Sequence, residues 1–337
     1  MMIKRLAILS SLLLLLNGCA LNTRSGETPS PATTNLTTAY DYQLLSPNYH
    51  PISLSKIVSA ASKADVVFIG EYHGNHASHI LQMQLLEKLH NAKKQQRRPI
   101  ILSMEQFERN QQTILNDYLS NKIGEQYFID KTPAWSNYKA SYRPLVEYAK
   151  QNDISIVAAN APADIVRCIG RVGESYINKL SSDKKQTITN KPFAEIPRYA
   201  NKFFGVMGLS GHAVAGKRMQ QSYLAQLTRD NTMAESINKA LKQSPNIQVV
   251  HLNGSFHSAE HLGTVGALKR MNPTLKVLII TPIHKEQFAE HKKKHKNTDD
   301  YHYLLNSQPK AFVNPENMKA AHTAMFAKSA AKSKLCE

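Results

Sequence analysis

Five short apolar runs constrain the fold of this 337-residue chain more than any other feature of its sequence. A strand that is buried on both faces of a parallel sheet has such a continuous run, whereas a half-exposed strand alternates. Helical patterns separate the runs, for example the apolar stripe between Ile80 and Leu89. The alternation predicts an α/β fold, with a mostly parallel sheet flanked by helices. The runs cover residues 65–70, 99–104, 154–159, 247–252 and 275–280.

One interval between the predicted strands is too long for a simple crossover. Residues from about 170 to 245 contain helical patterns and no strand-like run, so we expect a helical insertion or cap subdomain within an α/β domain over 41–285. The remainder, 286–337, is rich in Lys and His and predicts a basic C-terminal extension. Its histidines offer ligands for a metal or haem, but a solvated basic loop is the simpler interpretation.

The N-terminus indicates an exported lipoprotein. A basic start precedes an apolar run over 6–16, which is too short to span a bilayer but suits the core of a signal peptide. The run ends in Leu-Asn-Gly followed by Cys19, a sequence that resembles a bacterial lipobox. We therefore expect removal of 1–18 and lipidation of Cys19, palmitate included, as a stable membrane anchor. An ordinary signal peptide with an incidental cysteine is the alternative.

The residue after Cys19 indicates the membrane in which the protein resides, and the composition indicates which partners it can bind. Ala20 stands where an Asp would retain a lipoprotein in the inner membrane, which favours the outer membrane. Lys and Arg total 42 against 25 Asp and Glu, and the formal net charge of +17 suits nucleic acid, anionic surfaces or anionic ligands. Export from the cytoplasm argues against nucleic acid as a binding partner. Residues 19–40 are rich in Ser, Thr, Pro and Asn and predict a flexible tether.

Polar side chains follow the predicted strands at one edge of the sheet. In an open parallel sheet, ligands bind in the crevice beyond the carboxyl ends of the strands. Imidazoles and carboxylates gathered at that edge can bind a divalent metal or act as acid and base. The candidates that follow a strand are Glu71, His73, Glu105, Asn160 and His257.

Two of these strand ends carry the same pattern, GxxH, at 70–73 and 254–257. Paired GxxH motifs with an intervening Glu resemble the superfamily of Tiki proteases, erythromycin esterases and ChaN-like haem-binding lipoproteins. Longer stretches are similar to the ChaN-like branch in particular, and the second motif departs from its usual Gly-Asn-Gly-His in the two middle positions. These stretches are 105–109, the segment with Trp135, Tyr138 and Tyr142–Leu145, 158–162 and 225–234.

The resemblance implies a haem-binding lipoprotein of iron uptake. In that family two monomers can hold a cofacial pair of haems, with a Tyr on each iron and basic side chains of the partner on the propionates. The resemblance also implies a place in the pocket for Arg143. Tyr223 is then the first candidate iron ligand in this chain and Tyr199 the second.

The segment 211–223 offers the propionate candidates. If it is helical, His212 shares a face with Tyr223, and Lys217 and Arg218 flank that face and can meet carboxylates. A stripe of Met and aromatic residues on a helix is also typical of a core face, so this interpretation has a structural alternative.

Two functions from different classes stay open. The first is a haem-binding lipoprotein that dimerises around its ligand. The second is a metal-dependent hydrolase, in which His73, Glu105 and His257 hold a divalent ion that activates water and Glu71 is the general base. A serine hydrolase is not expected, because Gly208–His212 lacks the final glycine of a nucleophile elbow.

The cysteine count excludes two further classes. Three cysteines are too few for a disulfide-stapled scaffold or for a zinc site of four thiolates. With Cys19 assigned to the anchor, Cys168 and Cys336 remain. Whether these two pair in an oxidising compartment stays open at this stage.

Overall fold

Seven strands of the described chain form one sheet in the computed structural model. The description covers residues 36–95, 98–132, 135–207, 216–296, 298–333 and 336. In chain order the strands are β1 (Tyr42–Leu45), β2 (Val66–Glu71), β3 (Ile100–Glu108), β4 (Ile156–Asn160), β5 (Gln248–Gly254), β6 (Val277–His284) and β7 (Tyr301–Leu305). Their order across the sheet is β1-β7-β6-β2-β5-β3-β4.

Thirteen α-helices of the described residues surround this sheet. They are α1 (Leu54–Ala61), α2 (His76–Gln95), α3 (Gln112–Leu119), α4 (Glu125–Lys131), α5 (Tyr138–Ser141), α6 (Arg143–Gln151), α7 (Ala163–Val172), α8 (Ser182–Gln186), α9 (Tyr199–Val206), α10 (Lys217–Leu241), α11 (Gly263–Met271), α12 (Phe288–Lys294) and α13 (Pro315–Ser333). None of these helices is both long enough and apolar enough to cross a membrane.

The predicted α/β fold with a mostly parallel sheet is confirmed. Strands β2 to β7 pair in parallel with their neighbours, and β1 alone runs antiparallel, against β7. Each of the five predicted apolar runs overlaps one of the strands β2 to β6. The runs are continuous because helices cover both faces of these strands.

Alternate residues of β2 show how the two faces are covered. Val66 and Phe68 pack in one core cluster with side chains of α9, α10 and α11. Val67 and Ile69 pack in a second cluster with side chains of α2 and α6. All four residues are completely buried. Successive side chains of a strand point to opposite faces, so one unbroken run supplies both cores.

The long helical interval of the sequence packs, through α9 and α10, with α11 on one face of the sheet. It contains α8, α9 and α10, and α10 contacts β4 as well as α7 and α11. The 25-residue α10 therefore covers one face of the sheet.

The sheet continues beyond the expected domain limit at residue 285. Strand β7 lies inside the segment expected to be a basic extension, and it pairs with β6 and β1. The buried Tyr303 hydroxyl of β7 donates a hydrogen bond to the carbonyl oxygen of Gly70 at 2.7 Å. A five-residue strand in a charged context has little hydrophobic periodicity, which is why the sequence pattern did not indicate it.

Cys168 and Cys336 form a disulfide, which answers the question that the sequence left open. Cys168 lies in α7, and both half-cystines are buried. The bond ties the end of the described chain, beyond α13, to the helical layer. It spans 168 residues of sequence, a separation at which two cysteines cannot be paired by local pattern.

Candidate functional site

The carboxyl ends of β2, β5 and β3 bring the predicted polar residues together at one edge of the sheet. Strand β5 lies between β2 and β3, and Gly254 at its end is in register with Glu71 of β2. On the other side, the carboxylate of Glu105 accepts a hydrogen bond from the Gly254 N–H at 2.6 Å. The strand order therefore makes neighbours of groups that lie far apart in the sequence.

Glu71 is a fully buried carboxylate with three hydrogen-bond donors. Its Oε1 accepts from the Tyr142 hydroxyl at 2.5 Å and from Nδ1 of His73 at 2.7 Å, and its Oε2 accepts from Gln82 at 2.7 Å. Burial alone would raise the pKa of Glu71, but the bond from His73 and the nearby His79 outweigh it and lower the pKa. Glu71 is thus an ionised group that orients its neighbours.

His73 presents its imidazole at the surface of the site. Its side chain is 47% exposed, and its ring packs edge-on against Trp135 with 4.9 Å between centroids. Burial would lower the pKa of His73, but the bond to Glu71 and the charge of Glu105 raise it overall. A Cβ at position 254 would lie 2.8 Å from Nε2 of His73, so only glycine allows this approach.

His257 is oriented in the same manner by a second carboxylate. Its Nδ1 is bonded to Asp230 at 2.7 Å, and its Nε2 lies 3.4 Å from Glu105. Burial opposes the charged form of this imidazole, but Asp230 and Glu105 outweigh it and raise the pKa of His257. Asp230 also accepts hydrogen bonds from the hydroxyls of Thr264, at 2.8 Å, and Tyr199, at 2.7 Å.

Asp230 was not among the predicted site residues. It lies in the middle of α10 and is completely buried. A carboxylate in a helix that otherwise buries apolar residues requires a partner, and that is the signal that sequence reasoning had available. The partner, His257, lies 27 residues away, so the sequence could not name it.

Two histidine–carboxylate pairs, 73 with 71 and 257 with 230, therefore flank the carboxylate of Glu105. In each pair Nδ1 is occupied and Nε2 is left for other contacts. Such an arrangement can accept and donate protons, or supply a neutral imidazole as a ligand.

The geometry does not support the predicted divalent-metal site of His73, Glu105 and His257. No group of three or more His, Cys, Asp or Glu side chains within the described residues is arranged to hold a metal ion. One oxygen of Glu105 is already bonded to the Gly254 N–H. Glu71 also does not suit the role of general base, because its two oxygens accept three hydrogen bonds.

The other two predicted pocket residues differ: Asn160 positions a residue of the site, and Arg143 does not. The side-chain amide of Asn160 donates to the backbone oxygen of Glu105 at 3.0 Å, so it positions that residue from β4. Arg143 makes a two-pronged ion pair with Glu125, at 2.5 and 2.9 Å, and does not line the cavity described next. The residue before it, Tyr142, is the one that reaches the site.

A cavity of about 380 Å³ opens over these residues. One wall is apolar and comes from the end of α9, where Val206 is 67% and Met207 50% exposed. We call this space the strand-edge cavity. Its lining consists of Glu71, Tyr72, His73, Phe203, Val206, Met207, Gln226, Gly254, Ser255, Phe256 and His257.

The predicted iron ligands do not line the strand-edge cavity. Tyr199 donates its hydroxyl to Asp230, and Tyr223 donates to Glu195 at 2.9 Å. Both rings are buried, and burial together with these carboxylates raises the pKa of both phenols. The stripe of Met and aromatic residues that includes Tyr223 is therefore a core face of α10.

The predicted propionate ligands fall at the start of α10 or before it. Lys217 and Arg218 are exposed in the first turn of the helix, and Arg218 donates to the carbonyl oxygen of Gly170. His212 lies outside the described residues, as does the proposed lipidation site Cys19.

Comparison with known proteins places the chain in a family. No curated protein matches it. A solved structure of ChaN from Campylobacter jejuni, described as binding haem cofacially, is similar with a TM-score of 0.60 and 17% identity, covering 79% of this chain and 98% of that one. An erythromycin esterase mutant in its open conformation has a TM-score of 0.42 and 12% identity, covering 72% and 77%. The likeness to the ChaN structure, at 17% identity, indicates a shared fold alone. The sequence model of the haem-binding uptake family of the Tiki superfamily, ChaN, matches residues 57–268, and the chain therefore belongs to this family.

Proposed function

We propose that this protein binds haem for uptake at the strand-edge cavity, as an exported lipoprotein of the cell envelope. The observation that carries the proposal is an open apolar wall beside a half-exposed imidazole. Haem requires an apolar slot, an axial ligand and cations for its propionates. Membership of a haem-binding uptake family supports the same conclusion.

The apolar wall fits a porphyrin face. Phe203 is buried in this wall and Phe256 is half-buried, and Val206 and Met207 are exposed at its rim. Exposed apolar side chains around a concave site are typical of a binding surface. A porphyrin is larger than a 380 Å³ cavity, so part of it would project beyond the rim. A second copy of the chain would cover that part, which is why we propose a haem-linked homodimer.

Two side chains are compared as iron ligands, Tyr223 and His73. Ligation by Tyr223 requires a deprotonated phenol and the loss of its hydrogen bond to Glu195. His73 needs neither change, since its Nδ1 is already held by the buried Glu71. A carboxylate behind a ligating histidine fixes the ring and increases its basicity. Lys217 and Arg218 remain the proposed propionate ligands, supported by the positive end of the 25-residue α10.

A haemin titration of the purified full chain tests the proposal. The Soret band should saturate at a fixed haem-to-protein ratio, and sedimentation velocity should show haem-linked dimerisation. The absence of a saturable spectrum would exclude haem binding. His73→Ala and Tyr223→Phe then separate the two ligands, because the variant that removes the ligand changes the Soret position. Tyr148→Phe, at a tyrosine that bonds His90 away from the cavity, is the matched control.

The lipid anchor has a separate test. Cells labelled with a palmitate analogue should incorporate it into the full chain, and Cys19→Ala should abolish the label. Fractionation of the labelled envelope then distinguishes outer from inner membrane. A wild-type chain that remains unlabelled would contradict the anchor and leave haem binding unaffected.

A hydrolase is the second candidate, and one observation favours it. Two imidazoles, each held by a carboxylate through Nδ1, line the strand-edge cavity, and Glu105 lies 3.4 Å from Nε2 of His257. His73 would exchange a proton with water or a leaving group there, at the raised pKa that its carboxylate neighbours produce. A panel of esters and peptides tests this candidate. Turnover that His73→Ala and Glu105→Gln both abolish would support it, and no turnover by the wild type would remove it.

A further inference from the structure

A second cavity, of about 490 Å³, shares no lining residue with the strand-edge cavity. Three separate segments form it: the residue before α9, the turn that follows His257, and the end of α12 with the residues leading to β7. We call it the cationic cavity. Its lining consists of Arg198, Glu260, His261, Lys293, Lys294, His295, Lys296, Thr298 and Asp299.

Four cations of this lining have no partner within the described part of the chain. The side chains of Arg198, Lys293, Lys294 and Lys296 make neither an ion pair nor a hydrogen bond there. The carboxylate of Glu260 is compensated by Lys202 at 3.7 Å, which leaves Asp299 as the acidic group of the lining without a cation bound to it. The cavity therefore carries an excess of positive charge.

The end of helix α12 accounts for only part of that charge. Lys293 and Lys294 lie in its last turn, where cations offset the partial negative charge of the helix terminus. That charge is about half an elementary unit, so one lysine is sufficient to balance it. Lys296 lies beyond the helix, and Arg198 comes from another segment altogether.

The backbone around the cavity is unusual as well. Six non-glycine residues of the described chain have a positive φ, and three of them line this cavity: Arg198 at 64°, Glu260 at 66° and His261 at 57°. The left-handed conformation is unfavourable for side chains such as these and persists where surrounding contacts enforce it.

The buried carboxylate of Asp300 holds Glu260 and His261 in this left-handed conformation. Asp300 accepts a hydrogen bond from the Glu260 N–H at 3.1 Å and lies 3.1 Å from Nε2 of His261. Asp300 lies four residues after Lys296, so one residue fixes the strained turn and joins it to the cationic wall. The turn and the lysine segment are thereby held together at this cavity.

We propose that the cationic cavity binds a phosphate group, either a phosphomonoester or a diphosphate. Lysines act as point charges toward phosphate, and an arginine adds a two-pronged donor that matches tetrahedral oxygens. A doubly charged phosphate suits four unpaired cations better than a single carboxylate does. The same chemistry is offered by a soluble phosphoester and by the headgroup of a membrane lipid.

Calorimetric titration of the full chain with pyrophosphate tests the site. Wild type should bind one pyrophosphate saturably, and the triple variant Lys293→Ala, Lys294→Ala, Lys296→Ala should lose about tenfold or more in affinity. The matched control replaces three exposed lysines elsewhere, Lys56, Lys185 and Lys242, and removes the same charge. An equal loss in the control, or no saturable binding by the wild type, would overturn the proposal.

Arg198→Gly separates a ligand role from a backbone role. Glycine relieves the positive φ, so the midpoint of thermal unfolding should rise while pyrophosphate affinity falls. Unchanged affinity in this variant would contradict the part assigned to Arg198. Because both readouts come from the same protein, a misfolded variant would be recognised by its lowered midpoint.

Vesicles distinguish the two sources of phosphate. We use the Cys19→Ala chain, which cannot be acylated, with vesicles of phosphatidic acid or of phosphatidylglycerol at equal surface charge. Preference for phosphatidic acid that pyrophosphate abolishes indicates a headgroup site. Saturable pyrophosphate binding without vesicle binding indicates a soluble phosphoester. Equal binding to both vesicles that pyrophosphate does not displace would indicate general charge attraction and overturn the proposal.

Discussion

Two groups of histidines in this protein have opposite electrostatics. In the candidate site, His73 and His257 are each bonded to a carboxylate, and their pKa values are raised in spite of burial. In the tail histidine cluster, formed by His291, His295 and His302, the rings of His291 lie 4.5 and 5.2 Å from the other two. There burial lowers the pKa of His291 and His302 to about 4.

The comparison shows that a carboxylate partner decides what a buried imidazole does. Without one, the ring stays neutral and serves packing, as the stacking of His302 on Tyr49 at 4.8 Å illustrates. With one, the ring holds its proton to a higher pH than an ordinary histidine and keeps a fixed orientation. Three of the histidines that the sequence treated as a possible metal or haem tail, His291, His295 and His302, form a packed cluster.

Loss of the partner carboxylate has the largest expected effect. Asp230→Ala removes one acceptor from His257, Tyr199 and Thr264 at once and leaves three buried donors unpaired. We expect the free energy of unfolding to fall by about 3–5 kcal/mol, measured by urea denaturation. The pKa of His257, followed by NMR, should fall as well, because only Glu105 would then oppose the effect of burial.

Asp164→Ala is the control for this substitution. Its carboxylate is half exposed and pairs with Lys184 at 3.2 Å. Its removal should change the free energy of unfolding by no more than about 0.5 kcal/mol. Equal effects of the two substitutions would mean that the buried pair has no special role.

The tail histidine cluster predicts a loss of stability in acid. The pKa of His302 is about 4 in the folded chain against 6.5 for an ordinary histidine, so the unfolded chain binds the proton first as the pH falls. Its stabilising contribution is complete above pH 6.5 and is lost between about pH 6.5 and 4, a loss of up to about 3 kcal/mol. Asp300 opposes this shift, and the neighbouring His291 and His295 reinforce it.

His302→Phe tests that origin. The variant should retain stacking on Tyr49 and lose part of the acid sensitivity, while His291 keeps its own share, when urea unfolding is compared at pH 7 and pH 4.5. Exposed His50→Phe should leave the pH dependence unchanged. The raised pKa of His257 has the opposite sign: its contribution is complete below pH 6.5 and is lost as the pH rises through its folded pKa. An unchanged acid loss in His302→Phe would contradict the comparison.

Gly254→Ala is expected to have an intermediate effect. The added Cβ would lie 2.8 Å from Nε2 of His73 and displace its ring. We expect about 1–2 kcal/mol lower stability and a weaker bond between His73 and Glu71, seen as a lower His73 pKa by NMR. Gly205→Ala, inside α9 with open space at its Cβ, should instead stabilise the chain by up to about 1 kcal/mol. A His73 titration that Gly254→Ala leaves unchanged would contradict the close approach.

Arg143→Ala should have the smallest effect. This guanidinium pairs with Glu125 near the surface and does not line the strand-edge cavity. Haemin affinity should therefore stay within about twofold of the wild type, since a partly exposed ion pair contributes little. A large loss of affinity would restore Arg143 to the pocket that the family resemblance implies.

The sequence located the residues of the site better than it assigned their roles. Strand-like runs followed by polar residues identified Glu71, His73, Glu105 and His257 at one edge, and the structure brings them together there. Their roles depend on partners from distant elements, such as the Tyr142 hydroxyl on Glu71. Periodicity reports burial and gives no account of which buried donor meets which acceptor.

The sequence by itself determined the α/β architecture, the edge of the sheet that carries the site and the family to which the chain belongs. Those features follow from local patterns, because burial on both faces of a strand and a motif at its end are written in consecutive residues. Tertiary structure alone decided that Asp230 holds His257, that Tyr199 and Tyr223 are core residues, and that Cys168 meets Cys336. Each of these depends on packing between segments far apart in the chain, where the low dielectric of the interior makes one bonded partner decisive.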